Sequence, residues 1–158
     1  MMRTAQIAAV ALGFLVLAGA AALAAGDDPV STNPDYMRAE EAIKSNDYRR
    51  AIELLGKALA TNPKDADAEN LLGYCYRKLE NFTEALKHYD KALALNPEHK
   101  GAHEYIGETY LLMGNLAKAK EHLARLDKIC WLGCAELKDL KKAIQEYESK
   151  RKSPSRSW

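Results

Sequence analysis

Ala51, Ala85 and Ala119 stand 34 residues apart, and the spacing recurs along the chain. Ala58 and Ala92 share it, as do Pro63 and Pro97, Gly73 and Gly107, and Tyr76 and Tyr110. Small residues, an aromatic and helix breakers therefore return in one phase, the mark of a chain built from repeated supersecondary units. Such a unit cannot bury its apolar face alone, so stacked neighbours must supply the core. After residue 30, Ala, Leu, Lys and Glu dominate and alternating runs of Val, Ile and Thr are missing. The repeating unit is therefore helical.

Each unit reads as two helices. Leu72 and Tyr76 lie four apart on one face of the first, and Gly73 between them lets another helix approach closely. Glu80-Asn81 and Gly114-Asn115 mark the turns. Ala85, Tyr89 and Ala92 form the inward stripe of the second helix. Pro97 ends that helix region, as Pro63 does one repeat earlier. Asn33-Pro34 reads as the cap and first turn that start the first repeat, and Asp65 as the cap of the next first helix.

These residues resemble the tetratricopeptide repeat family, whose consensus has Leu-Gly then Tyr in the first helix, Ala, an aromatic and Ala in the second, and Pro at the end. The second repeat matches nearly throughout, with Leu72, Gly73, Tyr76, Ala85, Tyr89, Ala92 and Pro97. The third keeps Ile106, Gly107, Tyr110 and Ala119 but has Leu123, Leu126 and Trp131 where the aromatic, Ala and Pro would stand. The first keeps Ala51, Leu55, Ala58 and Pro63, with Ala39 and Ala42 in place of Gly and Tyr. The resemblance covers about residues 32–131. It implies an all-α fold, a right-handed superhelix of about three helix-turn-helix units over 32–65, 66–99 and 100–133. A capping helix is expected over 134–148, because Leu137, Leu140, Ile144 and Tyr147 give that stretch one apolar face and charges fill the other. The basic tail, 149–158, reads as disordered.

A different segment precedes the repeats. Met1-Met2-Arg3 gives a positive start, no charge occurs from Thr4 to Gly26, and Ala22-Leu23-Ala24 offers small residues ahead of Asp27 and Asp28. This reads as a secretory signal peptide cut after Ala24, followed by a linker over 25–31. A retained membrane anchor is the alternative, since the uncharged run is nearly long enough to span. Export implies a periplasmic or secreted protein. The whole chain has 23 basic and 22 acidic residues, and the leader removes only Arg3, so the mature chain carries no net charge. No overall field points to nucleic acid.

Export also changes how the three cysteines are read. Cys75, between two tyrosines in a packed helix, reads as a small buried hydrophobe. Cys130 and Cys134 suit a disulfide that staples the joint between the last repeat helix and the cap, with Gly133 allowing the turn and Trp131 covering the joint. Thiol-redox chemistry and a metal, copper foremost, stay open. Against them, the redox spacing and its preceding strand are missing, and no further ligand lies nearby. Exported bacterial repeat proteins with a cysteine pair after the last repeat are similar.

No catalytic set converges, and neither an enzyme nor a cofactor is expected. The serines cluster at Ser31, Ser45 and the tail, the carboxylates are spread along helix faces, and no glycine-rich phosphate loop occurs. His99 and His103 are four apart, but His99 stands at a helix start, and His88 and His122 follow the repeat register. These histidines read as surface or inter-repeat contacts. Asn81-Phe82-Thr83 matches a glycosylation acceptor that matters only in a eukaryotic secretory route.

The resemblance further implies a concave groove, lined by the first helices, that holds an extended peptide or a partner helix. By repeat register its lining is Tyr36, Glu40 and Lys44, then Asn70, Tyr74, Arg77 and Lys78, then Glu104, Glu108, Leu111 and Leu112. Arg77 and Lys78 against Glu104 and Glu108 give mixed charge, and Tyr74, Leu111 and Leu112 add apolar contact. Adjacent Leu111 and Leu112 cannot both face one core. The expected function is a non-enzymatic adaptor that binds a protein segment and assists assembly of an envelope or redox complex. A thiol-redox or copper-handling factor using Cys130 and Cys134 is the alternative. Membrane contact is expected only through an uncleaved N-terminal segment, and self-association is compatible with three repeats and a cap.

Overall fold

The computed structural model describes residues 33–152. Among them stand α1 (Pro34–Lys44), α2 (Tyr48–Thr61), α3 (Ala66–Lys78), α4 (Phe82–Leu95), α5 (Lys100–Leu112), α6 (Leu116–Ile129) and α7 (Ala135–Lys152). The expected signal peptide, the linker at 25–31 and residues 153–158 lie outside the described residues. Helices pack mainly on their sequence neighbours, and α7 lies on both α5 and α6. The architecture is the all-α superhelix of three helix pairs and a cap.

The 34-residue period reaches into the backbone. The three turns inside the repeats pass through Asn46, Glu80 and Gly114, at φ of 60°, 59° and 78°. Each is followed by a cap, Asp47, Asn81 or Asn115. The side-chain oxygen of each cap accepts the N–H three residues on, from Arg50, Glu84 and Lys118 at 3.1, 3.3 and 3.1 Å. These bonds satisfy donors that a helix start leaves open.

The first helices are capped by Asn33, Asp65 and His99. Asp65 accepts from Ala68 N at 2.9 Å. His99 fills the slot through Nδ1, which accepts Ala102 N–H at 3.1 Å. Its Nε2–H then donates to Asp67 in the preceding repeat at 2.9 Å and holds that carboxyl below its usual range. One side chain thus caps a helix and ties two repeats together.

Packing explains the small residues. Ala39, Ala51, Ala58, Ala68, Ala85, Ala92, Ala102 and Ala119 are buried where helices cross. The ring of Tyr89 lies over Gly73, and a Cβ there would fall 2.5 Å from Tyr89 Cδ1. Cys75 is buried as expected, and burial pushes its thiol up to about 12. At the last repeat, Leu140 and Ile144 of α7 join Leu111, Leu126 and Cys130 in one apolar cluster. Gly107 gives Leu140 its place, since a Cβ there would meet Leu140 Cδ2 at 2.6 Å.

Two expectations are corrected. The cap helix does not end at 148, and residues 149–152 are helical rather than disordered. Arg151 Nη1 donates to Tyr147 Oη at 3.1 Å, and the basic residues there suit the negative end of the helix dipole. Trp131 does not cover the joint. It is 81% exposed, and Leu132 is 79% exposed. A backbone closed between Cys130 and Cys134 and turned at Gly133 (φ 88°) leaves both side chains at the tip.

Candidate functional site

The first helices α3 and α5, together with the start of α2, carry a ladder of aromatic rings and cations. Tyr48 and Tyr74 meet edge-on with ring centres 6.2 Å apart, and Tyr74 and Tyr105 meet at 5.3 Å. The Arg77 guanidinium lies 5.3 Å from the Tyr74 ring centre and 5.1 Å from that of Tyr105. Lys78 Nζ lies 5.7 Å from the Tyr48 centre and 6.0 Å from that of Tyr74. Both distances suit a cation over a π face. Arg77 Nη1 also reaches Glu108 Oε2 at 2.7 Å across the α3–α5 junction, with the Arg77 side chain only 12% exposed. Arg77 is therefore paired within the protein through Nη1, while its buried Nε has no hydrogen-bond partner.

α7 adds a wall that the repeat register alone does not supply. Leu112, 60% exposed, stands beside a cleft of about 290 Å³. Arg77, Glu108 and Leu111 line one side, and Ala143, Glu146, Tyr147 and Lys150 of α7 line the other. Sequence reasoning missed the α7 residues, along with Tyr48 and Tyr105. The spacing of Tyr147 in the apolar stripe was the available signal, but Tyr147 serves the cleft as well as the core.

The eleven expected lining residues divide. Tyr74, Arg77, Lys78, Glu108 and Leu112 come together as described. Tyr36, Asn70 and Leu111 are buried, so they offer little free surface. Tyr36 packs with Ala39, Leu55 and Leu72 in the first core. Asn70 lies against Gly101 of α5, with Nδ2 3.2 Å from where a Cβ would stand. α7 covers Leu111. The adjacent leucines separate as expected, one inward and one outward. Lys44 is exposed and pairs with Glu41 at 2.7 Å in its own helix. Glu40 is half-buried on α1.

Glu104 is half-buried on α5, and its carboxyl is raised from 4.5 to about 7. Burial is the main cause, followed by the carboxylates of Glu108, Asp139 and Glu136, while Arg77 acts the other way. A raised carboxyl pKa means the folded chain holds this proton more tightly than the unfolded chain does. Stability is therefore fully present below about pH 4.5 and is lost as pH rises from there through about 7. Solvent screening discounts the effect to about 1–2 kcal/mol. Glu104→Gln is accordingly expected to raise stability by that amount at pH 8 and to change little at pH 4.5, as read by denaturant melts at the two pH values.

Away from the groove, one slot between the helices of a repeat is polar in both later repeats. In the second, buried Glu69 holds His88 Nδ1 at 2.6 Å and Lys91 Nζ at 3.3 Å. In the third the partners are His103 and His122, with Nδ1 atoms 3.0 Å apart. His103 Nε2–H donates to the Pro97 carbonyl at 3.0 Å, so in the neutral pair His122 Nδ1–H donates to His103 Nδ1. Burial, His103, Arg125 and Lys118 lower His122 to about 4. Of the two expected readings, His103 takes the inter-repeat one: it is buried, its Nε2 reaches Pro97 of the preceding repeat, and its pairing with His122 fastens α5 to α6.

The sulfurs of Cys130 and Cys134 lie at bonding distance, with Cα atoms 5.6 Å apart. Cys134 Sγ accepts Leu137 N–H at 3.4 Å in the first turn of α7. With the Glu136 carboxylate, these sulfurs form the one grouping among the described residues close enough to surround a metal ion. While the sulfurs are bonded to each other, only the carboxylate is free to serve as a ligand.

Comparison with known proteins gives a consistent picture. Tetratricopeptide repeat sequence profiles match residues 36–94 and 77–129. No curated protein sequence matches the chain. Similar solved structures include the TPR2B domain of yeast Sti1 in its pHsp70 complex, at TM-score 0.67 and 18% identity, covering 74% of this chain and 95% of that one. The Yersinia enterocolitica type III secretion translocator chaperone SycD gives 0.66 and 17%, covering 75% and 92%. The second TPR domain of human RPAP3, in complex with the HSP70 peptide SGPTIEEVD, gives 0.63 and 20%, covering 72% and 92%.

Proposed function

Because this chain belongs to the tetratricopeptide repeat family, we propose that it is an exported, non-enzymatic adaptor that binds a protein segment in its concave groove and assists assembly of an envelope or redox complex. The observation that carries this reading is the open cleft between α3, α5 and α7, where Leu112 projects without burial beside a built aromatic ladder. An exposed leucine at the rim of a preformed cleft suits a partner's apolar side chain. The domains of human RPAP3 and yeast Sti1 engage peptide or chaperone partners, and this supports the same use of the fold.

Export rests on the leader read in residues 1–24. Pairing of Cys130 with Cys134 agrees with it, since oxidising compartments favour disulfides. A second reading, a thiol-exchange factor, draws on Cys134 Sγ at the start of α7, where a helix N-terminus favours a thiolate. The intact mass of protein from its native host, alkylated without reductant, separates the two. A chain starting at Ala25 with one alkylated thiol is expected. Three alkylated thiols favour the second reading, and an uncut chain places the protein on a membrane.

The groove is tested by placing a photo-crosslinking amino acid at Leu112 and, as a control, at exposed Lys57 on α2. A discrete adduct from position 112 alone, competed away by excess unmodified protein, is expected. The same adducts from both positions, or none, overturn the adaptor reading.

A further inference from the structure

Resting on that reading of the groove, we propose that its ligand is a cationic, apolar segment: a Lys or Arg side chain set against Glu104, and an apolar side chain in the cleft beside Leu112 and Tyr147. Charge complementarity is the first argument. Glu108 on α5 and Glu136 and Asp139 on α7 all act on Glu104, and Arg77 is the one cation among the groups that act most strongly on it. Arg77 already holds Glu108 at 2.7 Å and lies against two tyrosine rings. Lys150 and Glu146 of α7 also line the cleft, so Glu104, Glu108, Glu136, Asp139 and Glu146 face Arg77 and Lys150, and the α5–α7 end is left with an excess of carboxylates. A ligand rich in acidic residues would add to that repulsion, whereas an ammonium or guanidinium would relieve it.

An independent observation also points to a missing donor. Asn70 is only 6% exposed, and its Oδ1 has no hydrogen-bond partner. Its amide lies against Gly101, one helical turn before Glu104. Buried acceptors are normally paired, so this oxygen lacks a donor that a ligand N–H reaching the α3–α5 junction would supply, while the buried Arg77 Nε nearby lacks only an acceptor.

The apolar anchor follows from Leu112 and the cleft. Glu104 and Leu112 are eight residues apart on one helix, a rise of about 12 Å. An extended chain covers that distance in about four residues. The ligand motif is therefore a basic residue and an apolar residue roughly four apart.

The test uses nine-residue probe peptides with a fixed Leu and, four positions away, Lys, Arg, Gln or Glu. Binding of the purified protein is read by fluorescence anisotropy at two salt concentrations. The basic probes are expected to bind at least about tenfold more tightly than the Glu probe at low salt, with the gap narrowing at high salt. Glu104→Gln combined with Asp139→Asn should shrink the preference to about threefold or less, and Leu112→Asp should abolish binding of every probe. Binding that needs Leu112 but ignores or reverses the charge order overturns the charge inference and leaves the groove standing. Binding unaffected by Leu112→Asp, or no binding by any probe, overturns the groove reading and the inference with it. Thermal melts confirm that each variant folds, and the order of wild-type affinities across the four probes tests the charge inference without any variant.

Discussion

Gly73→Ala is expected to destabilise the protein by about 3 kcal/mol, whereas Gly56→Ala stabilises it by about 0.5–1 kcal/mol. Both glycines lie inside helices, α3 and α2, where alanine has the higher intrinsic propensity by about 1 kcal/mol. Their surroundings decide the sign. At Gly56 nothing lies within 4 Å of an added Cβ, so the propensity gain is realised. At Gly73 the Cβ would stand 2.5 Å from two atoms of the Tyr89 ring and 2.9 Å from a third. Tyr89 is fully buried and packs with Ala85 and Ile106, so its ring cannot swing away without disturbing the junction of the second and third repeats. Overpacking of this kind costs about 1–3 kcal/mol or more and outweighs the propensity gain. Denaturant melts of the two variants beside the wild type give the check. A Gly73→Ala protein as stable as the wild type would mean that the repeat junction is soft.

The same contrast shows what a sequence can disclose. Gly73 and Tyr89 belong to a periodic pattern, and the pattern exists because every repeat meets the same packing problem. Helix order, turn positions, the Asn33 and Asp65 caps and the buried alanines were legible for that reason. The left-handed turn at Glu80 was legible only by register, because Asn46 and Gly114 at the equivalent places are residues that favour it and glutamate is not.

Non-periodic features were harder to read. Arg77 and Glu108 both stood on the expected groove face, but their 2.7 Å pairing depends on how two successive repeats lean together, which no local spacing encodes. Leu111 and Leu112 had to diverge, yet only the position of α7 decides which turns inward. Trp131 carried a large apolar ring, and burial was the natural expectation. Closure of the short Cys130–Cys134 segment leaves no chain to fold that ring back. The acidic end of the groove arises from α5 and α7 together, two helices whose relation is not a copy of any repeat junction.

The second large effect concerns that relation, and it is expected to be non-additive. Leu140→Ala should cost about 3 kcal/mol, because a fully buried leucine is lost from the cluster that fixes α7 on α5 and α6. Gly107→Ala in the wild-type background should cost about 2 kcal/mol, because the new Cβ would lie 2.6 Å from Leu140 Cδ2 and 2.7 Å from Cδ1. In the Leu140→Ala background those atoms are gone. There Gly107→Ala should recover about 1 kcal/mol, by helix propensity and by filling part of the space left behind. The coupling would then be about 3 kcal/mol, well above the few tenths expected of independent sites. Because α7 forms one wall of the cleft beside Leu112, peptide binding should follow the same cycle. It should weaken in each single variant and return in part in the double variant, although neither residue lines the cleft. Simple additivity in both stability and binding would separate α7 from the groove and leave it a solubilising cap alone.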